Sequence, residues 1–156
     1  MRTILDFLND LDAQGHNVYA ALEAADGAGL TERPVVWNTR LRSTAGRADM
    51  GNRVLELNPK LREEGPEALL STFLHELAHL IVGPGHGHDY HWSAICRQIG
   101  GKASRCHQYE SLRSTPRARK HVATCGTCGF ELMKAKRLTQ GRTYRHPRCG
   151  GTYVPA

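Results

Sequence analysis

Residues 66–82 read PEALLSTFLHELAHLIV, bounded by Gly65 on one side and by Gly83-Pro84-Gly85 on the other. Pro66 suits the first turn of a helix, where its missing N–H is no loss, and Glu67 sets negative charge near the positive helix end. The glycine–proline run stops the helix. The segment between is apolar almost all round, which predicts a central, buried helix. Three titratable residues interrupt it: His75, Glu76 and His79. Positions i and i+4 of a helix share a face about 6 Å apart, so His75 and His79 present two imidazoles to one ion. Glu76 projects from the adjoining face. This HExxH pattern is that of zinc hydrolases, in which the carboxylate works on a metal-held water. Left unpaired, each of these polar groups would cost about 1–3 kcal/mol in such a helix; one metal accounts for all three.

A catalytic zinc needs a third protein ligand and one open position. The segment after the helix, GPGHGHDYHW at 83–92, offers His86, His88 and His91. The spacing used by metzincins would put a histidine at position 85, which is Gly85; the downstream glutamate of gluzincins has no counterpart nearer than Glu110. His86 and His88 remain, each followed four residues later by an aromatic, Tyr90 or Trp92. Tyr90, His91 and Tyr109 are further groups able to touch a substrate carbonyl.

Elsewhere in the first hundred residues, Ile4, Leu5, Phe7, Leu8 and Leu11 recur at helical spacing, and Val18, Tyr19 and Leu22 continue after Gly15. Short strands are predicted at Pro34–Trp37, Arg42–Arg47 and Arg53–Leu57, and a helix from Tyr90 to Ile99 before Gly100-Gly101. With 156 residues, 40% of them hydrophobic and 6% aromatic, the chain has one compact domain's length plus a small appendage. No apolar run approaches the ~20 residues needed to cross a bilayer. Asp6 and Asp10 spoil the N-terminus as a secretory segment, so the expected location is the cytoplasm.

Charge and cysteine concentrate in the last third. Residues 1–100 hold 9 Lys and Arg against 13 Asp and Glu, a balance of −4; residues 101–156 hold 12 against 2, a balance of +10. A basic piece on a slightly acidic body predicts a polyanionic partner, nucleic acid above all. Cys125 and Cys128 form a C-x2-C knuckle, and the odd total of five cysteines argues against a disulfide framework. His146 and Cys149 supply a second half with 17 residues between the two, a Cys3His set at the spacing of two hairpins gripping one ion. So short a module lacks the core to fold unaided, and a structural zinc answers that. The exposed charge expected to meet DNA phosphates without reading sequence is Arg117, Arg119, Lys120, Lys134, Lys136, Arg137, Arg142 and Arg145, with Tyr144 beside them for base stacking.

These stretches together resemble the SprT-like zinc metalloproteases, the family of bacterial SprT and eukaryotic Spartan. The matching segments are RVLELNP at 53–59, the helix at 66–82, His88-x-x-x-Trp92, Ile99-Gly100 and RCHQYE at 105–110, over roughly residues 34–152. The resemblance implies that His88 is the third ligand, because the family's ligand opens a helix ending in Leu/Ile-Gly; His86 is the alternative. It also implies that His146 stands where relatives often carry Cys. Spartan-type members digest proteins trapped covalently on DNA, which makes a DNA-crosslinked protein the implied substrate.

The reading is therefore an α+β chain. Residues 1–110 form a minimal zincin-like protease domain with a small sheet on the HExxH helix, 111–121 a basic linker, and 122–156 a β zinc ribbon that binds DNA. One catalytic and one structural zinc are expected, with Glu76 as the base. Two other readings stand beside it: a non-proteolytic zinc-ribbon DNA adaptor, and a metallopeptidase on soluble substrates with no nucleic-acid role.

Overall fold

Reciprocal capping begins the first helix. Thr3 Oγ1 accepts the Asp6 amide (3.1 Å) while the Asp6 carboxylate accepts the Thr3 amide (2.8 Å), so α1 (Ile4–Ala13) starts at a defined residue. It buries Ile4, Phe7, Leu8 and Leu11 as one stripe, and α2 (Tyr19–Gly27) follows, burying Ala21 and Ala25. The computed structural model describes residues 1–105, 109–112 and 119–156. The chain divides into two compact units, Met1–Ser114 and Thr115–Ala156, and its class is α+β.

The first unit holds a four-stranded sheet of β1 (Arg2–Thr3), β2 (Pro34–Trp37), β3 (Gly46–Asp49) and β4 (Val54–Leu57) in the order β1-β2-β4-β3. β2 and β4 run parallel, and the other pairs antiparallel. α3 (Pro66–Val82) packs on β3 and β4, and α4 (Tyr90–Gln98) packs on α3. Phe73 of α3 stacks on Phe7 of α1 with ring centroids 4.7 Å apart, and Leu55, Leu57 and Leu77 complete the centre of the core. Burying each such side chain contributes about 1.5–3 kcal/mol.

Two expectations change. The sheet has four strands rather than three, because the two residues of β1 pair with β2. The strand expected at Arg42–Arg47 begins only at Gly46. Residues before it form a loop drawn in by Asn58, whose side-chain amide donates to the carbonyls of Leu41 (2.9 Å) and Thr44 (3.0 Å). β3 is thereby shifted toward Asp49 and left as a sheet edge.

The second unit is a three-stranded antiparallel sheet of β5 (Lys120–Cys125), β6 (Glu131–Lys134) and β7 (Tyr153–Pro155), in the order β6-β5-β7. Its buried apolar core is Val122, Ala123, Cys125 and Tyr153. Leu112, just before it in sequence, belongs to the core of the first unit. Among the described residues no helix is long and apolar enough to cross a membrane.

Candidate functional site

α3 sets His75 and His79 one turn apart, and the chain returns after Gly83 to bring His88 against them. Nε2 of His88 lies 2.9 Å from Nε2 of His75 and 3.2 Å from that of His79. A ring nitrogen has one in-plane site, a proton or a lone pair, so His88 cannot be well paired with both. Three converging nitrogens are instead the donor arrangement of a cation site. Ligands about 2.0–2.1 Å from a tetrahedral zinc stand about 3.3 Å apart, and this set fits. Burial pushes His79 down to about 4, with His88 adding to the effect, and burial followed by the charge of Arg105 lowers His88. Both rings are thus held neutral, the form that ligates. His86 is elsewhere: its Nδ1 meets the Asp89 carboxylate at 2.7 Å, and Asp89 in turn caps α4 by accepting the Trp92 amide at 3.0 Å.

Trp92 is the floor of this cluster. Its ring is buried, with centroids 4.7, 5.1 and 4.5 Å from those of His75, His79 and His88. Its indole N–H donates to the His75 carbonyl at 3.4 Å. Glu76 sits on the other side, in the wall of a cleft of about 760 Å³ that also exposes the three histidines. Burial pushes its carboxyl up to about 7, against the opposing pull of the Ala48 amide. That amide belongs to edge strand β3 and donates to the carboxylate.

The C-terminal unit carries a second donor set. Sγ of Cys149 lies 3.5 Å from Sγ of both Cys125 and Cys128, and Nδ1 of His146 lies 3.2 Å from Cys128 Sγ and 3.1 Å from Cys149 Sγ. The two halves have the same turn. Gly129 N–H donates to Cys125 O (2.9 Å) and Gly150 N–H to His146 O (2.8 Å), both glycines at φ 71°, where a side chain is strained. The amides of Cys128 and Thr127 lower the Cys125 thiol to about 7, which favours thiolate. Donor chemistry and spacing fit a structural zinc here too.

The profile of the SprT-like family matches residues 18–121. The chain belongs to the SprT-like family. It is 33% identical over 122 residues to "Protein SprT-like" of Oceanobacillus iheyensis, covering 76% of this chain and 79% of that protein. It is 33% identical over 133 residues to "Protein SprT" of Pseudomonas fluorescens, covering 79% and 80%. "Protein SprT-like" of Lactiplantibacillus plantarum is 26% identical over 149 residues, covering 92% and 97%. No solved structure matches.

Sequence reasoning missed one residue of this SprT-like site that the structure makes prominent. Gly46 of β3 has no room for a side chain: a Cβ there would lie 2.8 Å from Cγ of Glu76 and 2.9 Å from Cγ2 of Thr72. The only trace in sequence is a glycine where a strand should begin. Gly46→Ala is expected to displace Glu76, to leave both donor sets in place, and to lower the melting temperature by about 5 °C through overpacking. Zinc titration and calorimetry on the same preparation check this.

Arg119, Lys120, Lys134, Lys136, Arg137, Arg142 and Arg145 are exposed on the second unit, and none is in an ion pair among the described residues. Arg117 lies outside the described residues. Lys134, Arg145 and Arg148 border a hollow of about 420 Å³ that also holds the rings of Phe130 and Tyr144. Phe130 is half exposed, one face stacked on His146 at 4.9 Å, and Lys134 Nζ lies 5.8 Å from the Tyr144 ring centroid.

Proposed function

We propose that this chain is a zinc-dependent endopeptidase acting on DNA-bound or DNA-crosslinked protein. The observation that carries the peptidase reading is Glu76, a buried carboxylate beside three converging imidazole nitrogens in an open cleft. A purely structural metal site gains nothing from an adjacent carboxylate that does not ligate.

The chemistry supplied by a zinc bound to His75, His79 and His88 is polarisation of a peptide carbonyl and acidification of a water. Glu76 accepts the proton from that water as its oxygen bonds to the carbonyl carbon, and delivers it to the amide nitrogen as the C–N bond breaks. The Ala48 amide holds the carboxylate in place between the two transfers. β3 is a sheet edge along the cleft, so an extended substrate segment can add to it by main-chain hydrogen bonds, which suits a protease with little demand on side-chain identity. Were zinc held by His75, His79 and His88, three protein ligands would leave it open to solvent or substrate.

The DNA half of the proposal is supported by the exposed basic side chains among the described residues of the second unit and by the Phe130 and Tyr144 rings among them. Cations track phosphates and ring faces take bases without regard to sequence. Binding to single-stranded DNA should weaken about fifty-fold between 50 and 200 mM salt if four phosphates are neutralised. Fluorescence anisotropy on a labelled oligonucleotide measures it. Binding that ignores salt, or that survives deletion of residues 119–156, overturns the assignment. The test of the whole reading is digestion of a protein crosslinked to single-stranded DNA, with the same protein free in solution as comparison. Preference for the crosslinked form supports it, and equal cleavage of both leaves a peptidase for soluble substrates.

A further inference from the structure

A peptide carbonyl that becomes tetrahedral places a full negative charge on its oxygen, and a preorganised donor at that point is worth more than one in water. Several side chains in or near the cleft are chemically able to supply it, and the structure removes most of them. Tyr90 is 80% exposed, and neither it nor His91 lines the cleft. Tyr109 does line it, yet its hydroxyl is committed: it donates to the Ala68 carbonyl and accepts from Thr72 Oγ1, each at 3.3 Å. Arg47 also lines the cleft, with its guanidinium locked on the buried Glu56 carboxylate at 2.8 and 3.0 Å. Lys102 and Arg105 are the remaining cations.

Arg105 differs from Lys102 in the donors it carries: a guanidinium presents a planar fork of N–H groups that can grip an oxygen as it gains charge, whereas an ammonium is a compact, strongly hydrated point charge. Among the described residues Arg105 is in no ion pair and makes no side-chain hydrogen bond. Its position is also complementary to that of the base. Glu76 is fixed on the β3 side of the cleft by Ala48 and packs over Gly46, while Arg105 lines the same cleft from the segment after α4. A scissile carbonyl in this cleft is then within a lining that offers both the carboxylate, from α3, and a guanidinium, from the segment after α4.

We propose that Arg105 is a catalytic residue that clasps the substrate's carbonyl oxygen as it becomes an oxyanion. The inference rests on the peptidase reading above. As the water oxygen bonds to the carbonyl carbon, the π pair moves onto the carbonyl oxygen, where the guanidinium N–H groups meet it. When the C–N bond breaks, that pair re-forms the carbonyl and the Arg105 contact loosens. Because the contact strengthens with the developing charge, it acts on kcat more than on substrate binding.

The experiment compares the full zinc-loaded chain with Arg105→Ala, Arg105→Gln and Arg105→Lys, using β-casein as substrate and single-stranded DNA present. Arg105→Ala and Arg105→Gln are expected to lower kcat about 100-fold, with KM changed less than threefold and two zinc ions retained per chain. Arg105→Lys recovers part of the loss. Affinity for a phosphinic peptide, whose charged oxygen imitates the oxyanion, falls in parallel with kcat/KM when measured by calorimetry. The glutamine variant guards against a local defect from truncation. A parent chain that cleaves beside variants that keep their kcat overturns this inference alone, as does a loss confined to KM. A parent chain that cleaves nothing overturns the peptidase reading and this inference with it.

Discussion

Glu76→Gln is expected to abolish proteolysis, by about a thousandfold or more, while leaving the zinc content unchanged. Glutamine keeps the shape of the side chain, and its carbonyl oxygen can still accept the Ala48 amide. What it loses is the capacity to take up a proton, the one property the mechanism asks of this position. His75, His79 and His88 are untouched, so metal analysis of the variant should match the parent. The stability effect has a definite sign. Burial raises the Glu76 pKa to about 7 in the folded chain, so ionisation above that pH costs the folded state, and the cost is absent below the ordinary carboxylate range. A neutral amide never pays it. With both proteins stripped of metal, the variant should therefore melt no lower than the parent at pH 8, which separates a lost base from a lost fold. Cleavage within tenfold of the parent would remove Glu76 from the mechanism.

What was legible beforehand followed the range of the interactions involved. His75, Glu76 and His79 sit within five residues on one helix, so their spacing already specifies their geometry. The Cys125-x2-Cys128 and His146-x2-Cys149 turns are equally local, and their following glycines carry the same φ. His88 against His86 was open on spacing alone, because the outcome depends on a cap: Asp89 binds both the Trp92 amide and His86, which draws His86 off and turns His88 inward. The start of the strand carrying Gly46 is not legible locally, because it is set by Asn58, more than ten residues away, rather than by its own alternation. Arg105 carries no local signal at all. Its significance lies in which other cleft side chains are already bonded, and that follows from tertiary structure alone.

Replacing Cys125 by serine is expected to unfold the C-terminal unit while the first unit stays folded. Among the described residues of Thr115–Ala156 the buried apolar core is Val122, Ala123, Cys125 and Tyr153, far too little to offset the backbone entropy of ordering about forty residues. A zinc held by four side chains would supply about 10–16 kcal/mol of apparent folding free energy to a module of this size, which would make it the main tertiary interaction there. Cys125 is also the ligand most deeply set. A Cβ on Gly151 would lie 2.8 Å from its sulfur and collide with Thr127, which shows how tightly the second half closes over the first. The core of the first unit draws only on residues 4–112 and keeps its own histidine site. In a proton–nitrogen NMR spectrum, the dispersed signals of residues 119–156 should collapse to random-coil shifts, those of residues 1–105 should stay, and bound zinc should fall from two equivalents to one. DNA affinity should drop with them, since the basic side chains lose the frame that spaces them, while peptidase activity on free β-casein should persist. A folded second unit in the serine variant would show that its strands need no metal to hold together.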